Sequence, residues 1–171
     1  VRRVSSDDAV VAAFPRSPEV VRSRFERGNA CYVIDVKGQF AGHLWLAGDG
    51  FEEDEVRCRY VFAMPAQSVW DYDVFVAPEY RLSRVFLNLW NAVNEDIAQR
   101  GVLWSCSRIS AFNFSSLAAH RRLGATDIAS ATFVCFGSAQ LMFANVRPFL
   151  HFSIGDASPR LRLPAPIAAD R

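Results

Sequence analysis

Two stretches of this chain carry residue types whose spacing has chemical meaning. The first is Val74-Phe75-Val76-Ala77-Pro78-Glu79-Tyr80-Arg81-Leu82-Ser83-Arg84-Val85-Phe86, which reads as a strand, a polar loop and a helix start. The first turn of a helix carries amide N–H groups with no intrahelical acceptor, at the positive end of its dipole. A tight loop leading into such a turn is an anion site on physical grounds. Arg81 and Arg84 add guanidinium forks suited to phosphate oxygens, though the same pair serves equally well as a solvated helix face. The second stretch is Asn113-Phe114-Ser115-Ser116-Leu117-Ala118-Ala119-His120-Arg121-Arg122-Leu123-Gly124-Ala125. On a helix, Asn113, Ser116 and His120 recur at steps of three and four and share one edge. An imidazole there suits proton transfer, and a plain surface histidine is the competing reading.

The elements that must position these groups follow from the pattern. Ser6 before Asp7 and Asp8 predicts a first helix with Val10, Val11 and Phe14 inward. Ser17 as cap, Pro18 at the first position and Gly28 as stop predict a second, with Val20, Val21 and Phe25 inward. The period then changes to strands. Cys31 to Val36, a Lys37-Gly38-Gln39 turn and Phe40 to Leu46 read as a hairpin, and Gly48 to Glu55 as a solvated acidic tip. Strands are expected at Val56 to Ala63 and Val69 to Val76, separated by a break at Met64 to Ser68. Ser83 to Gln99 reads as a long helix with Val85, Phe86, Leu89, Trp90, Val93 and Ile97 on one face. Val102 to Ile109 is the next strand and Ser115 to Leu123 a short helix ended by Gly124. Ile128 to Phe136 and a last strand, Gln140 to Phe143, complete the order. A four-strand meander followed by helical crossovers predicts a mixed α/β sheet with a partly parallel centre.

With 171 residues, 51% of them apolar and 22% charged, the chain suits one globular domain with a real core. Nineteen basic side chains against 18 acidic ones leave +1, which argues against nucleic-acid binding through a strong basic field. Lys37 is the single lysine, and His43, His120 and His151 lack metal-ligand spacing, so no metal is expected. Cys31, Cys58, Cys106 and Cys135 each fall in apolar, strand-like runs and read as reduced core thiols, which favours a cytoplasmic setting. No apolar run is long enough to span a bilayer, so no membrane partner is expected. Beyond Asn145, with Pro148, Pro159, Pro164 and Pro166, the period fades into a wrapping tail or an extension.

Together the two chemical stretches resemble the GNAT superfamily of acyl-CoA-dependent N-acyltransferases. Val76-Ala77-Pro78-Glu79-Tyr80-Arg81 is similar to that family's entry to its pyrophosphate loop. Asn113 through Ser116 and His120 to Leu123-Gly124-Ala125 resembles its later helix signature, and Val33 to His43 its early strand pair. The resemblance covers residues 1–143, leaving 144–171 as a C-terminal extension. It implies a mostly antiparallel central sheet with a splayed parallel centre flanked by helices. Acetyl-CoA, or another acyl-CoA, would lie in the splay between Val69–Val76 and Val102–Ile109. Pantetheine would pair with backbone near Phe75 and Val76, and pyrophosphate would rest on the amides of Arg81, Leu82, Ser83, Arg84, Val85 and Phe86, with Asn113 and Ser116 nearby. An amine attacks only when neutral. The candidates for its base are Asp71 and Asp73, two apart and so expected on one strand face. His120 would protonate the departing thiolate in a direct transfer.

The departures from the family pattern are concentrated in the loop. Leu82, Arg84 and Phe86 stand where the family places small residues, which let backbone approach a phosphate closely. The lack of proline between Arg81 and Phe86 keeps every amide a donor. His120 replaces the usual tyrosine acid, and Ala125 the usual terminal aromatic. The implied activity is transfer of an acyl group to a primary amine of a small molecule or peptide, with a homodimer left open. The alternative is a GNAT-like module without turnover that serves as a binding or scaffold domain.

Overall fold

Lys37 and Gly38 adopt φ of 52° and 79°, and two consecutive left-handed residues make the two-residue turn that matches the twist of a hairpin. That turn joins β2 (Ala30–Val36) to β3 (Gln39–Ala47), the pair from which the main sheet grows. The computed structural model describes residues 1–48, 50–53 and 55–165. Asp49 and Asp54 of the expected acidic tip, and the end of the expected tail from Pro166 onward, lie outside the described residues.

The chain divides into two compact units, Val1–Gly48 with Ala66–Cys106, and Asp49–Pro65 with Ser107–Arg171. The first holds a five-stranded sheet that includes β1 (Arg2–Val4), β6 (Ser68–Val76) and β7 (Trp104–Cys106), ordered β1-β2-β3-β6-β7. All its pairings are antiparallel except β6 with β7. On one face lies α1 (Pro18–Glu26), entered as expected: Ser17 Oγ accepts from the Val20 amide at 3.5 Å and Pro18 opens the helix. Its Val21 packs with Phe14, Cys31, Val33 and Trp45. The expected first helix is a 3-10 turn, Ala9–Ala13, and its cap is Asp8 rather than Ser6, with Oδ1 accepting from the Val10 amide at 3.0 Å. α2 (Val85–Gln99) packs against β2 and β3, burying Val85, Leu89, Trp90, Val93 and Ile97. Tyr32 bonds its hydroxyl to Asp96 Oδ2 at 2.5 Å, tying α2 to β2.

The second unit contains a sheet ordered β11-β5-β4, from β4 (Phe51–Glu52), β5 (Arg59–Phe62) and β11 (Arg160–Leu163). Another is ordered β10-β9-β8, from β8 (Ala131–Phe136), β9 (Ala139–Ala144) and β10 (Leu150–Ile154). α3 (Phe114–Arg122) belongs to the same unit. Buried Gln140 joins the sheet region to the β4–β5 connection by copying a peptide group: its Oε1 accepts from the Arg57 amide at 2.8 Å and its Nε2 donates to the Arg57 carbonyl at 2.6 Å.

Four expectations change here. The strand expected at Val56 to Ala63 shortens to β5 and pairs with β4 and β11, so of the four expected meander strands the main sheet takes only β2, β3 and β6. The strand expected at Val102 to Ile109 keeps only Trp104–Cys106. Gln140 to Phe143 lies within β9 and is followed by two more strands, because Leu150–Ile154 finds β9 and Arg160–Leu163 finds β5 in parallel. In the acidic tip the Glu53 side chain is only 5% exposed, and its carboxylate meets Arg108 at 3.2 Å. Among the described residues no helix is long and apolar enough to cross a membrane.

Candidate functional site

β6 is the strand on which the site depends. Its start, Ser68 to Trp70, pairs with β7 in parallel, and no strand among the described residues pairs with Asp71 to Val76 on that side. This opening is the splay expected between the two strands. On the other side β6 pairs with β3, but the register slips: His43 faces Phe75 while Trp45 faces Tyr72. Leu44 therefore faces two residues, Asp73 and Val74, and Asp73 takes φ of 47°. This is a β-bulge, one extra residue that re-aims the side chains beyond it.

The bulge overturns the expectation that Asp71 and Asp73 share a face. Asp71 pairs with Leu46 and accepts from Ser105 Oγ at 2.7 Å. Asp73 instead joins Tyr72 on the α1 side, where it meets Arg24 and, at 2.5 Å, Arg16. The Arg24 guanidinium lies 5.3 Å from the Trp45 ring centre and 5.1 Å from that of Tyr72, a cation–π clamp. His43, fully buried, brings Nε2 to 3.7 Å from Asp73 Oδ2, an ion-pair separation too long for a hydrogen bond. Its ring packs against Phe14, Phe40 and Phe75, with centroids 4.6, 6.0 and 5.6 Å away. Burial pushes the Asp73 carboxyl pKa up, but His43, Arg16 and Arg24 outweigh it and hold the group far below the usual carboxylate range. A carboxylate so firmly ionised is a weak base, and Asp71 is buried, so neither meets the expectation of a base open to an amine.

β6 runs into a 3-10 turn, Pro78–Tyr80, and then into α2. Leu82 is 105% exposed, and Ser83 and Arg84 are exposed too, so of the three bulky replacements in the loop Leu82 and Arg84 turn outward. The expectation that every amide stays available needs correction. Arg81 donates to the Pro78 carbonyl at 3.4 Å, Ser83 to Tyr80 at 3.0 Å and Val85 to Ser83 Oγ at 3.2 Å. Arg81 also turns back, its Nε donating to the Val76 carbonyl at 3.4 Å. Phe86 is half-buried, edge-on to Trp90 with centroids 6.4 Å apart.

In the second unit, Asn113 caps α3: its Oδ1 accepts from the Ser116 amide at 3.1 Å. His120 Nδ1 lies 2.8 Å from the Ser116 carbonyl oxygen. A carbonyl only accepts, so Nδ1 carries the proton, and the neutral ring holds its lone pair on Nε2. The expected Asn113, Ser116 and His120 edge is one continuous hydrogen-bonded unit.

Sequence reasoning passed over His43 and the two arginines on Asp73. Alternation did carry a signal for His43, which falls between Ala41 and Trp45 on the inward face of an apolar strand. The thiols also divide. Burial pushes Cys31 up to about 12 and Cys58 and Cys106 to about 11, whereas Cys135 is exposed, against the expectation of four core thiols.

No protein-family model matches this chain, nor does any curated protein. Solved structures do. A ribosomal-protein-alanine N-acetyltransferase from Brucella melitensis biovar Abortus 2308 matches with TM-score 0.56 at 11% identity, over 79% of this chain and 97% of that one. AAC(6')-Iy, in complex with the bisubstrate analog CoA-S-monomethyl-acetylneamine, matches with TM-score 0.55 at 18% identity, over 79% and 93%. An aminoglycoside acetyltransferase from an uncultured soil metagenomic sample matches with TM-score 0.51 at 14% identity, over 79% and 91%. This chain has the mixed α/β fold of the GNAT acetyltransferases.

Proposed function

We propose that this chain is an acyl-CoA-dependent N-acyltransferase that moves an acyl group, acetyl by likeness to its structural neighbours, to a primary amine. The observation that carries this reading is the splay of β6 from β7, running directly into the loop at the start of α2, where Leu82 and Arg84 are exposed. The free half of β6 offers strand-pairing groups near Phe75 and Val76 to an amide-bearing pantetheine arm. The loop offers a helix N-terminus with the guanidinium of Arg84 to a diphosphate. The donor set fits CoA, though with fewer open amides than the loop sequence suggested.

In the reaction, the lone pair of a neutral amine attacks the thioester carbonyl carbon. The tetrahedral intermediate collapses by breaking the C–S bond, the amine nitrogen loses a proton, and the thiolate leaves with the electron pair. Backbone N–H groups of β6 are suited to hold the oxyanion. His120 is the proton-transfer residue, and the lone pair on Nε2 of its neutral ring favours accepting first and donating as imidazolium. Asp73 is a positioning residue that holds the bulge by gathering Arg16, Arg24 and His43. Two structural neighbours carry aminoglycoside names and a third acts on ribosomal-protein alanine, which supports an amine acceptor without choosing between small molecule and peptide.

Thermal unfolding with CoA and acetyl-CoA tests the reading. Ligand at 100 times its dissociation constant stabilises by about 2.7 kcal/mol. A shift with both, and thiol release with amines, is the expected result. No shift at millimolar ligand assigns the chain to a binding module of the same fold.

A further inference from the structure

A cavity of about 380 Å³ lies between the 3-10 turn Ala9–Ala13 and α1, within the ~300–1,000 Å³ usual for small-molecule sites. Every residue that lines it belongs to the first compact unit. From α1 come Pro18, Val21, Arg22 and Phe25, which stand at i, i+3, i+4 and i+7 and form one stripe along the helix. Val21 is 2% exposed, and Val11 and Phe25 pack on the same core cluster, so the floor is apolar. Arg22 interrupts the stripe. It places an exposed guanidinium where an apolar side chain would have continued the floor.

The charges around this floor are not all answered. Arg16 also lines the cavity, but Asp73 engages it, at 3.0 Å through Nε and 2.5 Å through Nη2. Among the described residues Arg22 closes no ion pair; Glu19 feels its charge along the helix without reaching it. Asp7 closes none either. Its carboxylate accepts from Ser5 Oγ at 2.5 Å, and that bond holds its pKa below the ordinary value. The cavity thus offers one cation, one anion and an apolar floor.

We propose that this cavity binds a free α-amino acid with an apolar side chain. The α-carboxylate takes the Arg22 fork, whose geometry matches two carboxylate oxygens. The α-ammonium takes Asp7, and the side chain covers Val11, Val21 and Phe25. Partial matches lose part of this. A plain amine leaves Arg22 unanswered and a plain acid leaves Asp7 so, while a charged side chain would give up its hydration against the apolar floor. Binding here requires no CoA.

Isothermal titration calorimetry of the whole chain with L-phenylalanine, phenethylamine and hydrocinnamate tests this. The expected result is phenylalanine bound at least tenfold more tightly than either one-charge analogue. Arg22→Gln should weaken phenylalanine at least tenfold and leave phenethylamine unchanged. Asp7→Asn should weaken phenylalanine as much and leave hydrocinnamate unchanged. Both side chains are exposed, and unchanged far-UV circular dichroism checks that the variants fold. No binding of phenylalanine at millimolar concentration overturns the proposal, as does equal affinity for phenethylamine or undiminished binding in both variants. Acetyl-CoA should bind both variants as it binds wild type, so failure of this site and failure of the acyltransferase reading are separate results. Thiol release on adding phenylalanine to the acetyl-CoA complex makes the amino acid an acceptor, and binding without release makes it an effector; both outcomes uphold the site.

Discussion

Asp73 Oδ2 stands 3.7 Å from His43 Nε2, and the two meet only because Leu44 faces two residues of β6 instead of one. The bulge carries Asp73 from the side where alternation would put it to the side where Arg16, Arg24 and His43 wait. A single inserted position thus decides which ionised groups the strand gathers.

Asp73→Asn should therefore destabilise the fold by about 3 kcal/mol at pH 7, because it leaves two guanidiniums short of their shared charge. Asp73 is held below its unfolded pKa of about 3.9, so its contribution is full above that pH and is lost as pH falls toward the folded value. Urea titrations of both proteins should show a gap that is constant from pH 7 to 5 and narrows below pH 4.

Gly42 sits opposite Val76, and a Cβ there would lie 2.4 Å from the Phe75 carbonyl oxygen. Gly42→Ala should cost about 1–3 kcal/mol by forcing β3 and β6 apart. Gly48→Ala, where a Cβ meets nothing within 4 Å, should stay within about 0.5 kcal/mol in the same denaturation series.

Arg84→Glu reverses charge at the start of α2 and should weaken CoA binding at least tenfold, about 1.4 kcal/mol, by calorimetry. Leu82→Gly should leave the melting temperature nearly unchanged, since that side chain touches solvent. Equal CoA affinity in wild type and Arg84→Glu would remove the loop from the diphosphate site.

His120→Gln should lower kcat by about 10²–10⁴ while leaving the dissociation constant of CoA within twofold. Stopped-flow thiol release separates the two quantities.

Among the thiols, Cys135 should react with an aromatic disulfide reagent far faster than Cys31, Cys58 and Cys106, which burial keeps protonated and covered. One rapid equivalent, and three more only in denaturant, is the expected absorbance trace.

Local rules carried much of this fold. Ser17, Pro18 and Gly28 bracket α1 because capping chemistry acts over a few residues, and the apolar face of α2 is visible in its period. The Lys37-Gly38 turn was legible for the same reason. The bulge was not, since one extra residue leaves a run of β-formers looking like any other and reverses every face assignment beyond it. Nor was the parallel pairing of β11 with β5, which joins residues about a hundred positions apart and depends on which edge is left open. In the candidate site, the loop and the His120 edge were readable as spacing. The clamp on Asp73 was not, because Arg16 precedes α1 and Arg24 lies on it, and only tertiary packing brings them to β6.

The hairpin turn at Lys37 has a practical consequence. The chain's sole side-chain amine is displayed on an exposed tip in a left-handed backbone conformation. Amine-directed dyes or surface-coupling chemistries will find a single internal address there. In any assay that follows acyl groups onto amines, modification of the protein's own side chains is confined to one tryptic position, where a mass spectrum can subtract it.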